Sequence, residues 1–207
     1  MNLLTPALVA ITRDLRAVDH RFALVGGLAV SSRVEARFTK DADLAVSVAD
    51  DADAESLTRA LLGAGWRVQA AVEHEQTHRL ATVRLVHRDN AFHGALVDLL
   101  FASCGVEPEI VACAEGLPAV EVGPGLSLPV AASGHLLAMK ILSRVPEREN
   151  DHPDVVRLCR SASEVERSRA RDAVRLIADR GYDRGRDVVA LLDEALAQFG
   201  AQPNDGS

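Results

Sequence analysis

Two aspartates two residues apart, a third inside an apolar run and one lysine in a leucine-rich segment are the residues of this 207-residue chain whose types and spacing could do chemistry. Asp41-Ala42-Asp43 opens an alternating stretch that predicts a strand over 41–48. Side chains alternate along a strand, so Asp41 and Asp43 face one way while Ala42 and Leu44 face the core. Two carboxylates that close disfavour each other's charge unless a cation sits between them. Asp98 interrupts the apolar run from Ala95 to Phe101, where an ionised carboxylate is costly unless paired or metal-bound. If the two strands are neighbours, three carboxylates converge. Three oxygen ligands suit Mg2+ (or Mn2+), which completes its shell with water and phosphates. The alternative is structural: Asp41 begins a strand, Asp43 faces solvent and Asp98 pairs with an arginine.

Gly26-Gly27 follows the apolar segment Phe22–Val25 and precedes an expected helix. Glycines there let backbone amides approach a phosphate, and a helix N-terminus favours the anion. Ser31 and Ser32 add hydroxyls nearby, and Asp41 follows Gly27 by fourteen residues. One turn would hold phosphates and the next strand the metal. The chain has 21 arginines but only two lysines. Lys40 directly precedes Asp41. Lys140 lies in Leu136-Leu-Ala-Met-Lys-Ile-Leu142, where it either snorkels at a helix edge or reaches a triphosphate.

His74-Glu-Gln-Thr-His78 is a literal HExxH, which on a helix would place two zinc ligands and a general base on one face, as in a metallopeptidase. Its neighbours read as strands and no third ligand follows at the usual spacing, so the pattern is expected to be a coincidence. Arg88 to His93 has the R-x4-H spacing of some ribonucleases but falls in an expected turn, and His135 reads as a helix-start residue. Arg167, Arg169, Arg171, Arg175 and Arg180 alternate with acids, which predicts a solvated helix face; the other reading is a lobe that grips RNA.

These groups need elements to carry them. Thr5-Pro6 starts a helix over 6–18, and strands are expected at 22–25, 41–48, 66–72, 79–87 and 95–101. Helices are expected over 28–33 and 53–62. Residues 120–130 are Gly/Pro-rich and extended, Ser133 caps a helix to Ser143, and residues after Pro153 read as helical with breaks at Gly181 and Gly185. The expected fold is α+β: a mixed sheet flanked by helices over residues 1–130, a helical C-terminal lobe over 131–200 and a flexible tail at 201–207.

Composition narrows the function classes. The chain is 48% hydrophobic and 3% aromatic, with net charge −7, of which −6 lies in residues 1–132. A basic nucleic-acid coat protein and a base-stacking single-strand binder are therefore excluded. Cys104, Cys113 and Cys159 are odd in number and lack CxxC spacing, so reduced thiols in the cytoplasm are expected. No signal peptide or membrane-spanning helix is expected.

Phe22-Ala-Leu-Val-Gly-Gly-Leu-Ala-Val30, Arg37-Phe-Thr-Lys-Asp-Ala-Asp-Leu44, Val97-Asp98-Leu99, Leu137-Ala-Met-Lys-Ile141 and Arg148 with Asp151-His-Pro-Asp154 follow one another in the order of a DNA polymerase β-type nucleotidyltransferase. Over residues 20–158 the chain resembles the AbiEii/MenT-like group, toxins of bacterial type IV toxin–antitoxin systems. The resemblance implies a polymerase β-like sheet on which Asp41, Asp43 and Asp98 hold one or two Mg2+ (or Mn2+). It implies that Gly26, Gly27 and Ser31 hold nucleotide phosphates and that Lys140 contacts the triphosphate. Arg37, Thr39, Arg148, Asp151 and Asp154 then belong to the nucleotide site. Two departures stand out: Gly26-Gly27 replaces the common Gly-Ser, and Asn150-Asp151 replaces Lys-Asp. The implied reaction moves a nucleoside monophosphate from a nucleoside triphosphate to an acceptor hydroxyl. The first acceptor implied is a tRNA 3′ end, with an antitoxin protein as partner. Small antibiotics and proteins are the alternative acceptors, and a non-catalytic binding protein is the alternative to an enzyme.

Overall fold

The computed structural model describes residues 4–34, 41–89, 94–143 and 151–200. Its centre is a five-stranded mixed sheet of β1 (Phe22–Val25), β2 (Asp41–Val46), β3 (Trp66–Glu73), β4 (Leu80–His87) and β5 (Leu96–Leu100). The order is β1-β2-β5-β4-β3, in which β2 and β5 are parallel and the other neighbours antiparallel. β6 (Val120–Gly123) and β7 (Leu126–Leu128) form a separate hairpin.

Period-two alternation gives the sheet two unlike faces. Ala42, Leu44, Val97, Leu99, Val83 and Leu85 are buried on one. On this side α1 (Leu4–Ala17), α3 (Asp51–Gly63) and α4 (Glu107–Glu115) supply apolar cover. α1 is pinned to β3 by the Trp66 indole N–H, which donates to Asp14 at 2.9 Å. α3 starts where Asp50 accepts from the Asp53 amide, a side-chain N-cap. The other face carries Asp41, Asp43, Asp98, Thr82 and Arg84.

The order of elements matches the α+β expectation, with two differences. α2 (Gly26–Arg33) begins at Gly26 itself, directly after β1. α4, with the β-branched Ile110 and Val111, is a helix absent from the sequence expectation, and Pro108 sits in its first turn, where proline is tolerated. Glu107, fully buried, sets its start. One Glu107 oxygen accepts from the Ser103 amide and hydroxyl and the Cys104 amide, at 2.6–2.9 Å.

α5 (Ser133–Ser143), α6 (Asp151–Ser161), α7 (Glu164–Asp179) and α8 (Val188–Phe199) follow. α5 packs on the other three and on α2, and the buried apolar cluster runs without a break through sheet and helices. α5 and α7 cross so closely that a Cβ on Gly134 would lie 2.3 Å from the Glu166 carbonyl oxygen. The Glu166 carboxylate accepts from the Gly134 amide at 2.6 Å and caps α5. Arg33 at the end of α2 donates to the Val130 and Ala131 carbonyls, tying the segment before α5 to the sheet. Residues 201–207, expected as a tail, lie outside the described residues.

Candidate active site

β2 and β5 are adjacent and parallel, with Asp43 opposite Asp98 and Asp41 opposite Leu96. The three carboxylates therefore share one sheet face. They line a cavity of about 570 Å³ whose other walls include Gly26 and Gly27 at the start of α2, Met139, Lys140 and Ser143 on α5, Ser103 and Cys104 after β5, and Arg184 between α7 and α8.

Asp43 lies deepest. Its carboxyl pKa is raised to about 6, first by burial and then by the charges of Asp98 and Asp41; Lys140 and Arg84 oppose the rise. This is the signature of a carboxylate cluster that a cation would relieve. Asp43 also fixes its neighbour. Gly26 has φ +67, and a Cβ there would lie 1.9 Å from Asp43 Oδ2, so only glycine fits between β1 and the carboxylate. α2 starts here with no side-chain cap, its N-terminus in the cavity wall.

Asp98 is held by Arg84, its cross-strand neighbour on β4. The guanidinium donates from Nε to Oδ1 at 2.7 Å and from Nη2 to Oδ2 at 2.6 Å. Nη2 also lies 3.9 Å from Asp41 Oδ2. As these side chains stand, no group of three His, Cys, Asp or Glu among the described residues closes around a metal ion. The arginine partner, the structural alternative for Asp98, is thus present within the convergent carboxylate cluster. The acidic residues fit a divalent cation in type and facing, provided that Asp98 is released from Arg84.

Opposite the sheet, Lys140 Nζ lies 3.0 Å from Asp154 Oδ2. Asp154 is fully buried on α6 and Lys140 is nearly so, while still reaching the cavity wall. Asp154 therefore braces the lysine from behind and does not itself line the cavity.

A family model for the "Nucleotidyl transferase AbiEii toxin, Type IV TA system" matches residues 9–204. The chain belongs to the AbiEii family. It is a nucleotidyltransferase-type enzyme. No curated protein sequence matches the chain. The chain is similar in fold to an antigenic nucleotidyltransferase-like protein from Paracoccidioides brasiliensis, at 17% identity over 93% of this chain and 92% of that one, with a TM-score of 0.51. It is also similar to a lincosamide antibiotic adenylyltransferase in its lincomycin-bound form, at 14% identity over 76% of this chain and 98% of that one, with a TM-score of 0.44.

In this AbiEii protein the remaining expected site residues divide. Ser31 does not reach the cavity, because its hydroxyl donates to the Gly27 carbonyl one turn back at 2.9 Å. Hydroxyls in the cavity wall come from Thr82, Ser103 and Ser143 instead. Arg37, Thr39 and Arg148 lie outside the described residues. Asp151 opens α6, with its side chain undescribed.

The HExxH pattern is the β3–β4 turn. His74 N–H donates to the Arg79 carbonyl and His78 N–H to the His74 carbonyl, each at 2.8 Å. His78, at φ +54, is exposed near Glu73, whereas the buried His74 ring packs on Tyr182 at 4.4 Å. The helical spacing that zinc chemistry needs is absent. Arg88 follows β4, and His93 lies outside the described residues. His135 does sit at the helix start, buried, with burial and Arg169 pushing its pKa down to about 4.

The C-terminal arginines are spent internally. Arg171 meets Glu164 and Asp193, Arg169 meets Glu166, Arg175 meets Asp172, and Arg167 donates to the Gly200 carbonyl. This is the solvated, self-paired face. Arg180 does something else: it forks onto Glu109 at 2.7 and 3.1 Å and donates to the Gly105 carbonyl at 2.5 Å. Together with Tyr182, which is seated on Gly105, and Arg186, which donates to the Leu142 carbonyl, it staples the α7–α8 loop to the cavity rim. Arg184, at φ +58, is thereby placed in the wall.

Arg84 and Arg184 are the charged residues of the described cavity wall that sequence reasoning missed. The alternation of β4 already set Thr82 and Arg84 on the face opposite the core, but nothing local showed that Asp98 would lie across from Arg84. Arg184 carried no such signal, since its position depends on a loop closing from the far end of the chain.

Proposed function

We propose that this enzyme transfers a nucleoside monophosphate from a nucleoside triphosphate to the 3′-terminal hydroxyl of an RNA, a tRNA foremost, with Mg2+ or Mn2+ held by Asp41, Asp43 and Asp98. The observation that carries the acceptor class is the charge of the cavity. Beyond those three carboxylates, every charged residue in its described wall is basic: Arg84, Lys140 and Arg184. A polycationic antibiotic would meet no acid reserved for it, whereas an acceptor that brings its own phosphates meets Arg184.

The residues divide the work. The amides at the start of α2, with Gly26 and Gly27 stripped of side chains, receive phosphate oxygens. Lys140, fixed by Asp154, contacts the triphosphate as a point charge. The acceptor oxygen forms its bond to the α-phosphorus as the bond to pyrophosphate breaks, and Asp98 takes the proton of the attacking hydroxyl. A divalent cation, when bound, offsets the charge that builds on the phosphates. Arg184 on its stapled loop contacts a phosphate of the acceptor. The protein works in the cytoplasm under the control of an antitoxin protein; among the described residues no helix is long and apolar enough to cross a membrane.

A second reading, transfer to a small hydroxylated molecule, draws on the uncharged part of the same wall, which includes Ala70, Val72, Leu100 and Met139. Incubation with each α-32P-labelled triphosphate, Mg2+ and either total RNA, total protein or a panel of antibiotics separates the two. The expected result is label on an RNA 3′ end, removed by exonuclease. Label on an antibiotic or a protein in place of RNA would overturn the acceptor assignment.

A further inference from the structure

Arg84 stands where no phosphate- or metal-binding pattern in the sequence placed a residue, and its surroundings are unusual. It faces Asp98 directly across the β4–β5 ladder and takes both carboxylate oxygens. Its Nη2 also lies 3.9 Å from Asp41 Oδ2, and Asp43 stands opposite Asp98 on the neighbouring strand. A guanidinium and a divalent cation on one carboxylate repel each other and draw on the same three negative charges, so they compete. The side chain also has room to leave. It is 38% exposed, and its same-face neighbours in the cavity wall are small: Ala70 opposite it on β3 and Thr82 two residues back on β4.

We propose that Arg84 is a built-in counter-ion of the carboxylate site: it holds Asp98 until a divalent cation takes that carboxylate, and the released guanidinium then turns to the phosphates of the nucleotide. The inference rests on the reading of Asp41, Asp43 and Asp98 as a metal site. It makes the cation alone a weak ligand, because Asp98 must first be freed. It makes cation and polyphosphate mutually supportive, because the polyphosphate gives the freed arginine a new anionic partner. That coupling is reciprocal.

The test is a pair of titrations on wild type, Arg84→Met and Arg84→Lys. Free Mn2+ is followed by electron paramagnetic resonance, and the preformed Mn2+–tripolyphosphate complex by calorimetry; neither readout needs turnover. The expected signature is a reversal of sign. Arg84→Met binds free Mn2+ about tenfold more tightly than wild type, yet binds Mn2+–tripolyphosphate several-fold more weakly, consistent with the loss of one close charge. Arg84→Lys, which keeps the charge but loses the fork, lies between the two on both titrations, and decides the matter if Arg84→Met does not fold. Unchanged affinities, or shifts of both titrations in the same direction, would overturn the proposal. Failure of wild type to bind Mn2+ both alone and as the tripolyphosphate complex would overturn the metal reading itself, and this proposal with it.

Discussion

The two long walls of the cavity are built on opposite electrostatic terms. On the sheet wall, strand register forces Asp41, Asp43 and Asp98 onto one face, and the cost shows in an Asp43 carboxyl raised to about 6. On the helical wall each cation has support behind it: Asp154 stands 3.0 Å from Lys140, and Arg180, Tyr182 and Arg186 staple the loop that carries Arg184. Asp43 is charged against the stability of the fold, as a group that awaits a ligand must be, while Lys140 is charged within a buried pair. Neutralising Asp43 and neutralising Asp154 should therefore act on stability with opposite signs.

The largest effect is expected where the sheet wall meets α2. Gly26→Ala places a methyl group on Asp43 at a left-handed φ, and together these should cost about 4 kcal/mol, read by chemical denaturation. A variant as stable as wild type would mean that Asp43 does not rest on Gly26.

Next, Asp154→Asn removes the buried brace and leaves Lys140 without its carboxylate, at about 3 kcal/mol of stability. Asp43→Asn should do the reverse. A raised carboxyl pKa means that the folded chain holds this proton more tightly than the unfolded chain. Stability is therefore lost as pH rises from about 4 to about 6. The asparagine variant should melt above wild type at pH 8 and level with it at pH 4. Equal or lower melting at pH 8 would remove the contrast between the walls.

Smaller in size, Mn2+ affinity should fall about tenfold per pH unit below 6, because Asp43 must shed its proton to act as a ligand. A flat profile from pH 5 to 7 would place the metal elsewhere. The smallest effect belongs to the HExxH coincidence: His78→Ala, at an exposed turn, should change stability by less than about 0.5 kcal/mol and leave transfer untouched.

The same contrast explains what could be read from sequence. The sheet wall was legible because period two is local: Asp41-Ala-Asp43 and the lone Asp98 in an apolar strand declare their faces, and only their adjacency had to be supplied by topology. Lys140 was legible because a chain that uses arginine almost throughout spends a lysine in a leucine-rich helix. α4 was not, since its β-branched residues mask a helix whose start is set by a carboxylate bonding back to Ser103 and Cys104. Ser31 lies one turn into α2, where its hydroxyl donates to the Gly27 carbonyl behind it, a local bond that the strand–glycine–helix pattern does not reveal. Arg84 and Arg184 depend on pairings and loop closures that no window of sequence contains.

The central claim, nucleotide transfer from the carboxylate face, is tested most directly by single-turnover transfer from α-32P-labelled triphosphate to RNA with wild type and Asp43→Asn side by side, each shown to be folded by its melting curve. The expected result is label on RNA with wild type and a loss of about 10³-fold or more with Asp43→Asn at undiminished stability. Transfer by the folded variant within a few-fold of wild type would contradict the account.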